Sequence, residues 1–147
     1  MALNTTVEKY QRGPTDAALN PAALAIPATA TTSNGASIDI GAAYSAGKNP
    51  RLVDMDLRLV VDAQTTTTLP DAQTIIVDLQ HSTDDSSFTV LRDNWITVTG
   101  AGGVGALQAA DQMAVPNTAN RYIRISVTTN GSGTGRASLN ATLSTRF

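Results

Sequence analysis

The sequence predicts an all-β protein, an antiparallel β-sandwich or jelly roll with an extended N-terminal arm. Three observations predict it. In Arg51–Val61 one phase, Val53, Met55, Leu57, Leu59 and Val61, is wholly apolar, and the other carries Asp54, Asp56 and Arg58. A period of two puts one phase on a core and the other in water, which is a half-buried strand. The same pattern recurs along the chain, and Gly, Asn and Asp turn signals separate the repeats. Little of the remaining sequence suits a helix.

Residues 1–35 read as the arm and 36–147 as the sandwich domain. The arm is interrupted at Gly13-Pro14, Asn20-Pro21 and Ile26-Pro27, and X-Pro steps favour an extended path. A short helical turn fits only Asp16–Leu19. Val7, Tyr10, Leu19, Leu24 and Ile26 are too irregularly spaced for one amphipathic helix and too numerous for a solvated tail. They predict an arm that docks on something, with Arg12 among them.

Asn34-Gly35 is a turn, and Ile38-Asp39-Ile40 a short strand closed by Gly41. After the long strand and a polar loop, Gln73–His81 places Ile75, Val77 and Leu79 on one face. Ser82–Ser87 turns the chain into Phe88–Leu91. Asp93-Asn94 breaks that run, and Trp95–Thr99 resumes it, with Ile96 and Val98 opposing Trp95, Thr97 and Thr99. In Ala106–Val115 the helix formers Leu107, Gln108, Ala109, Ala110 and Met113 permit a short helix before Pro116. Arg121–Thr129 alternates Ile123, Ile125 and Val127 with Tyr122, Arg124 and Ser126, Asn130-Gly131 turns, and Arg136–Phe147 closes the domain. About seven or eight strands at this spacing describe a sandwich or jelly roll rather than a βαβ fold.

The chain of 147 residues has no cysteine, so neither disulfides nor zinc-thiolate sites are available. Its start lacks the features of a secretory signal, and no run reaches the roughly 18 apolar residues of a membrane span. Synthesis in a cytoplasm and no membrane partner are the expectation. Ten Lys+Arg against twelve Asp+Glu give a net charge of -2 with no basic block, which argues against nucleic acid. Only 15% of residues are charged, against roughly 25% in typical domains, and such a surface suits burial against neighbours.

Several motifs imitate active sites. Gly100-Ala-Gly-Gly-Val-Gly105 matches the dinucleotide fingerprint, but Asn120 stands where the ribose-binding acid belongs, and a plain glycine connector is expected. His81 near Asp84 and Asp85 lacks the further ligands or nucleophile that a metal or catalytic cluster needs, so a capped turn is expected. Asp54 and Asp56 lack a calcium loop around them. No cofactor, metal site or catalytic set is therefore predicted. Trp95 and Tyr122 stand opposite the apolar phase of their strands, and they are the candidate oligomer surface or sugar platform.

Ile38-Asp-Ile-Gly41, Leu57-Arg-Leu-Val-Val61, the hairpin Gln80-His-Ser-Thr-Asp-Asp-Ser-Ser-Phe-Thr-Val-Leu91 and Arg121-Tyr-Ile-Arg-Ile-Ser-Val127 carry a resemblance. Over residues 36–147 the chain resembles the capsid cement, or decoration, proteins of short-tailed bacteriophages, and the arm is similar in character. The resemblance implies a non-enzymatic virion protein on the capsid exterior. It would bind the major capsid protein, bridge its subunits, and form a homo-oligomer, a dimer in preference to a trimer. Val7, Tyr10, Arg12, Leu19, Leu24 and Ile26 are the expected capsid contacts. The alternative is a carbohydrate-binding module built on Trp95 and Tyr122, or a tail or spike component.

Overall fold

Two antiparallel sheets face each other in the computed structural model, which describes residues 22–40 and 55–146. The strands are β1 (Ala22–Ala25), β2 (Thr32–Asn34), β3 (Ile38–Asp39), β4 (Asp56–Val61), β5 (Thr74–Ser82), β6 (Thr89–Thr99), β7 (Ala109–Ala114), β8 (Tyr122–Thr129) and β9 (Asn140–Arg146). One sheet runs β1-β9-β4-β7. The other runs β2-β8-β5-β6, with β3 also paired to β8. No α-helix occurs among the described residues.

The alternation read from the sequence is what assembles the core. Met55, Leu57, Leu59 and Val61 project inward from β4 and its approach and meet Ile75, Val77 and Leu79 of β5, Ile123, Ile125 and Val127 of β8, and Ala141 and Leu143 of β9. Each large side chain fully withdrawn from water contributes about 1.5 to 3 kcal/mol, so this layer dominates stability. Residues 51–54 of the expected long strand lie outside the described residues.

Pairing is nested. β5 pairs with β6, β4 with β7, β2 with β8, and β1 with β9, each antiparallel. The chain therefore behaves as one long hairpin, tip at β5–β6, whose two legs step together from sheet to sheet.

Three expectations change. Ala106–Val115 contains no helix: β7 pairs with β4 in unbroken register from Asp56 opposite Ala114 to Val61 opposite Ala109. Helix propensities differ by only tenths of a kcal/mol among these residues, so a vacant place beside β4 outweighs them. Asp93-Asn94 does not end the strand, because β6 runs through it with a register shift against β5. Asn94 adopts φ 47 there, and its N–H donates to Asp78 Oδ1 at 2.8 Å. Asparagine tolerates this left-handed conformation.

Residues 22–35, finally, do not stand apart from the sandwich as expected. β1 and β2 belong to the two sheets, Gly35 N donates to Ile125 O at 2.9 Å, and Ile26 is fully buried. Prolines hid this, yet an edge strand tolerates them at its ends. Val7, Tyr10, Arg12, Leu19 and the helical turn at 16–19 lie outside the described residues.

Candidate functional site

Both sandwich faces and the seam between β6 and β7 place the singled-out side chains. Trp95 is not an exposed ring. It is 5% exposed, and its indole N–H donates to Asp111 Oδ2 at 2.9 Å, from β6 across to β7. Arg92 flanks the pair, its guanidinium 3.9 Å from Asp111 Oδ2 and 6.0 Å from the Trp95 ring centroid. A buried indole needs an acceptor, and here the acceptor ties one sheet to the other. Trp95 sits inside the bulge, where residues 93–95 of β6 face Asp78 alone, and alternation fails there, which is why it misplaced this ring.

Tyr122 opens β8 on the outer face of the same sheet, with all of β5 between its strand and that of Trp95. The two aromatics therefore form no common platform. Tyr122 is half-buried beneath the Arg121 guanidinium, 5.0 Å from its ring centroid. Arg121 is itself gripped by Asp39 through two bonds of 2.9 and 2.7 Å, and that hydrogen-bonded pairing holds it above the usual guanidinium pKa.

What does assemble on this face was visible only in part. Val90, Gln80 and Arg124 stand opposite one another across β6, β5 and β8. Arg124 Nε donates to Gln80 Oε1 at 2.8 Å, and its guanidinium lies 3.8 Å from the Phe88 ring centroid. Partial burial lowers the Arg124 pKa against the opposing pull of Asp85. Val90 remains 51% exposed. The two stretches Ser82–Phe88 and Arg121–Val127 thus pack into one unit, with Ser82 opposite Tyr122. Their tight turn is held by the Asp84 carboxylate, which accepts from Ser82 Oγ, Ser86 N and Ser87 N at 2.7, 3.0 and 2.9 Å and sits far below the usual carboxylate range, mainly through the Ser87 N–H.

His81 is turned elsewhere, its Nδ1 accepting from Asn120 N at 3.1 Å. Among the described residues no group of three or more His, Asp or Glu side chains could hold a metal ion. Asp54 lies outside them, and Asp56 accepts from Gln112 Nε2 at 2.7 Å. The glycine loop joins two strands, β6 and β7, and leads into no helix. Its Gly103 N–H points at the carboxylate of Asp71, at 2.9 and 3.1 Å, where a nucleotide loop would offer it to phosphate. The dinucleotide reading therefore has no structural counterpart.

Arg136, which the sequence did not single out, is fully buried beside a 3₁₀ turn at Arg136–Ser138. Its guanidinium gathers three loops, donating to Thr68 O, Gly131 O and Gln73 Oε1, the first at 2.5 Å and the others at 2.7 Å.

No family model and no curated protein matches the chain. Among solved structures it is similar to two pentameric capsid proteins isolated from metagenomic phage sequences. The first is 14% identical, with a TM-score of 0.36, and the match covers 99% of this chain and 74% of that one. The second is 12% identical, with a TM-score of 0.32, covering 99% and 75%. Similarity this loose leaves the architecture to be argued from the strands themselves.

Proposed function

We propose that this protein is a structural component of a phage virion, a jelly-roll cement protein that binds the outside of the icosahedral shell and bridges major capsid protein subunits. The observation that carries the reading is the union of the two stretches in which the sequence resembles cement proteins. The hairpin Ser82–Phe88 and the strand Arg121–Val127 form one outer-face unit, Arg124 lying over Phe88 and Ser82 opposite Tyr122. The resemblance thus follows a piece of three-dimensional surface rather than scattered letters. The nested pairing of β1 with β9 through β5 with β6 supports the jelly-roll form, an architecture used by capsid proteins among others.

Such a protein acts without chemistry. Each copy holds its neighbours weakly, and an oligomer that engages several coat subunits makes the later contacts intramolecular. Arginine and aromatic side chains on the outer face, with Val90 beside them, are of the type that anchors interfaces. The carbohydrate-module alternative has lost one of its two rings to the sandwich interior, since Trp95 is bonded to Asp111.

The test is to locate the protein by cryo-electron microscopy in particles assembled with it. Density for the sandwich on the outer surface, contacting more than one coat subunit, is the expected result. Absence from the shell, or a position on the tail, would overturn the reading.

A further inference from the structure

The outer edge of β7 is built to pair with another strand. Sheet order places β7 last in its sheet, with β4 on one side only. Val115 N donates to Met55 O at 3.0 Å, and the register continues unshifted through the strand. Backbone groups of successive strand residues alternate in direction. Asp111 and Met113 accordingly direct N–H and C=O at β4, while Ala110, Gln112 and Ala114 direct theirs outward, where no described residue bonds to them.

Proteins usually blunt such an edge with charge, proline or a bulge. β6, the corresponding edge of the other sheet, follows that rule: it carries Arg92, Asp93 and the bulge at Asn94. β7 does not. Its three outward-directed residues are uncharged and exposed, and its single charge, Asp111, is engaged by Trp95 and Arg92.

We propose that β7 pairs antiparallel with β7 of a second copy about a two-fold axis at Gln112, joining two sheets into one. Centred there, Ala110 stands opposite the partner's Ala114 and Gln112 opposite the partner's Gln112, so every outward residue exchanges both backbone bonds. Centring one residue earlier would set Asp111 against the partner's Asp111, and like charges directly opposite are unfavourable. The opposite edge of the sheet, β1, competes poorly: by its register with β9 only Ala23 and Ala25 direct their backbone outward. The pairing goes beyond the capsid reading and stands apart from it, since a chain can dimerise without meeting a shell.

Sedimentation of the full chain tests it. Six-residue edges alone bury less than the roughly 1,000 Å² of a stable interface, so the dimer should be weak, with a Kd in the micromolar range. Ala110→Pro removes one outward N–H without touching the β4 pairing and should weaken association by about tenfold or more, two bonds being lost across the axis. Gln112→Lys, which keeps the backbone and sets like charges on the axis, should do the same. It stands as the deciding variant if the proline variant misfolds by circular dichroism. In a chain with no cysteine, Gln112→Cys should crosslink to a dimer on oxidation. A monomer at concentrations up to roughly 0.5 mM, an oligomer of odd number, or a dimer indifferent to Gln112→Lys would each overturn the proposal.

Discussion

Arg136 is a buried cation whose hydrogen-bond partners are all neutral oxygens. Burial lowers its pKa, and the carbonyls of Thr68 and Gly131 with the Gln73 amide oxygen offset that cost. Deleting the guanidinium leaves several buried acceptors unpaired at about 1 to 3 kcal/mol each. Arg136→Met is therefore expected to destabilise the domain by about 3 kcal/mol or more, read as a lower urea midpoint. Lysine should recover little, since a single ammonium cannot replace a planar fork aimed at diverging oxygens. A midpoint within about 1 kcal/mol of the parent would show that water replaces the guanidinium. Nothing in the sequence marks this residue, because burial of a charge depends on three loops that meet only in the fold. Trp95 escaped for a related reason. It stands where Asp93, Asn94 and Trp95 of β6 face the single residue Asp78 of β5, and alternation cannot count a bulge.

At the level of elements, strands with a large apolar face were legible and the alanine-rich edge strands were not. β4, β5 and β8 carry runs of large apolar residues at every second position and β9 carries Ala141 and Leu143, and these inward residues are those the alternation selected. β1 and β7 are alanine-rich edges, where pairing rather than side-chain pattern decides the conformation. The loop between β6 and β7 shows a division of labour among its glycines. Gly102 and Gly103 have φ 64 and 67 with open space where a Cβ would stand, so alanine there should cost only conformational strain, about 1 kcal/mol each. Gly105 has φ 79, and a Cβ would collide with the backbone of Gln64 and Thr65. Gly105→Ala should thus lower the melting temperature clearly more than Gly102→Ala. Equal effects would mean that this loop moves freely away from residues 64 and 65, breaking the bridge between Gln64 and Ala106.

For the whole molecule, the place where the sandwich begins decides how the proposed arm can be tested. β1 starts at Ala22, and Ile26, the residue that follows its last, is fully buried and donates its N–H to Leu139 O. Ile26 therefore belongs to the core and is closed to a capsid partner, and Leu24 is half-buried against the same core. Of the expected capsid contacts, Val7, Tyr10, Arg12 and Leu19 lie outside the described residues, and the proposal of capsid contact by the arm falls to them. Removing residues 1–30 would delete β1 and the Ile26 side chain together. Losing a buried isoleucine costs about 2 to 5 kcal/mol, a large part of the 5 to 15 that holds a domain together, so a binding defect in that variant would report unfolding. Removing residues 1–21 avoids the difficulty. This shorter deletion should leave the melting temperature within a few degrees of the full chain and reduce capsid occupancy strongly. Apolar contacts worth about 1.5 to 3 kcal/mol each outweigh surface ion pairs at about 0 to 1, so attachment of the full chain should persist in high salt. A folded 22–147 fragment with undiminished occupancy would move the contact onto the sandwich, where the Phe88, Val90 and Arg124 face is the surface to mutate next.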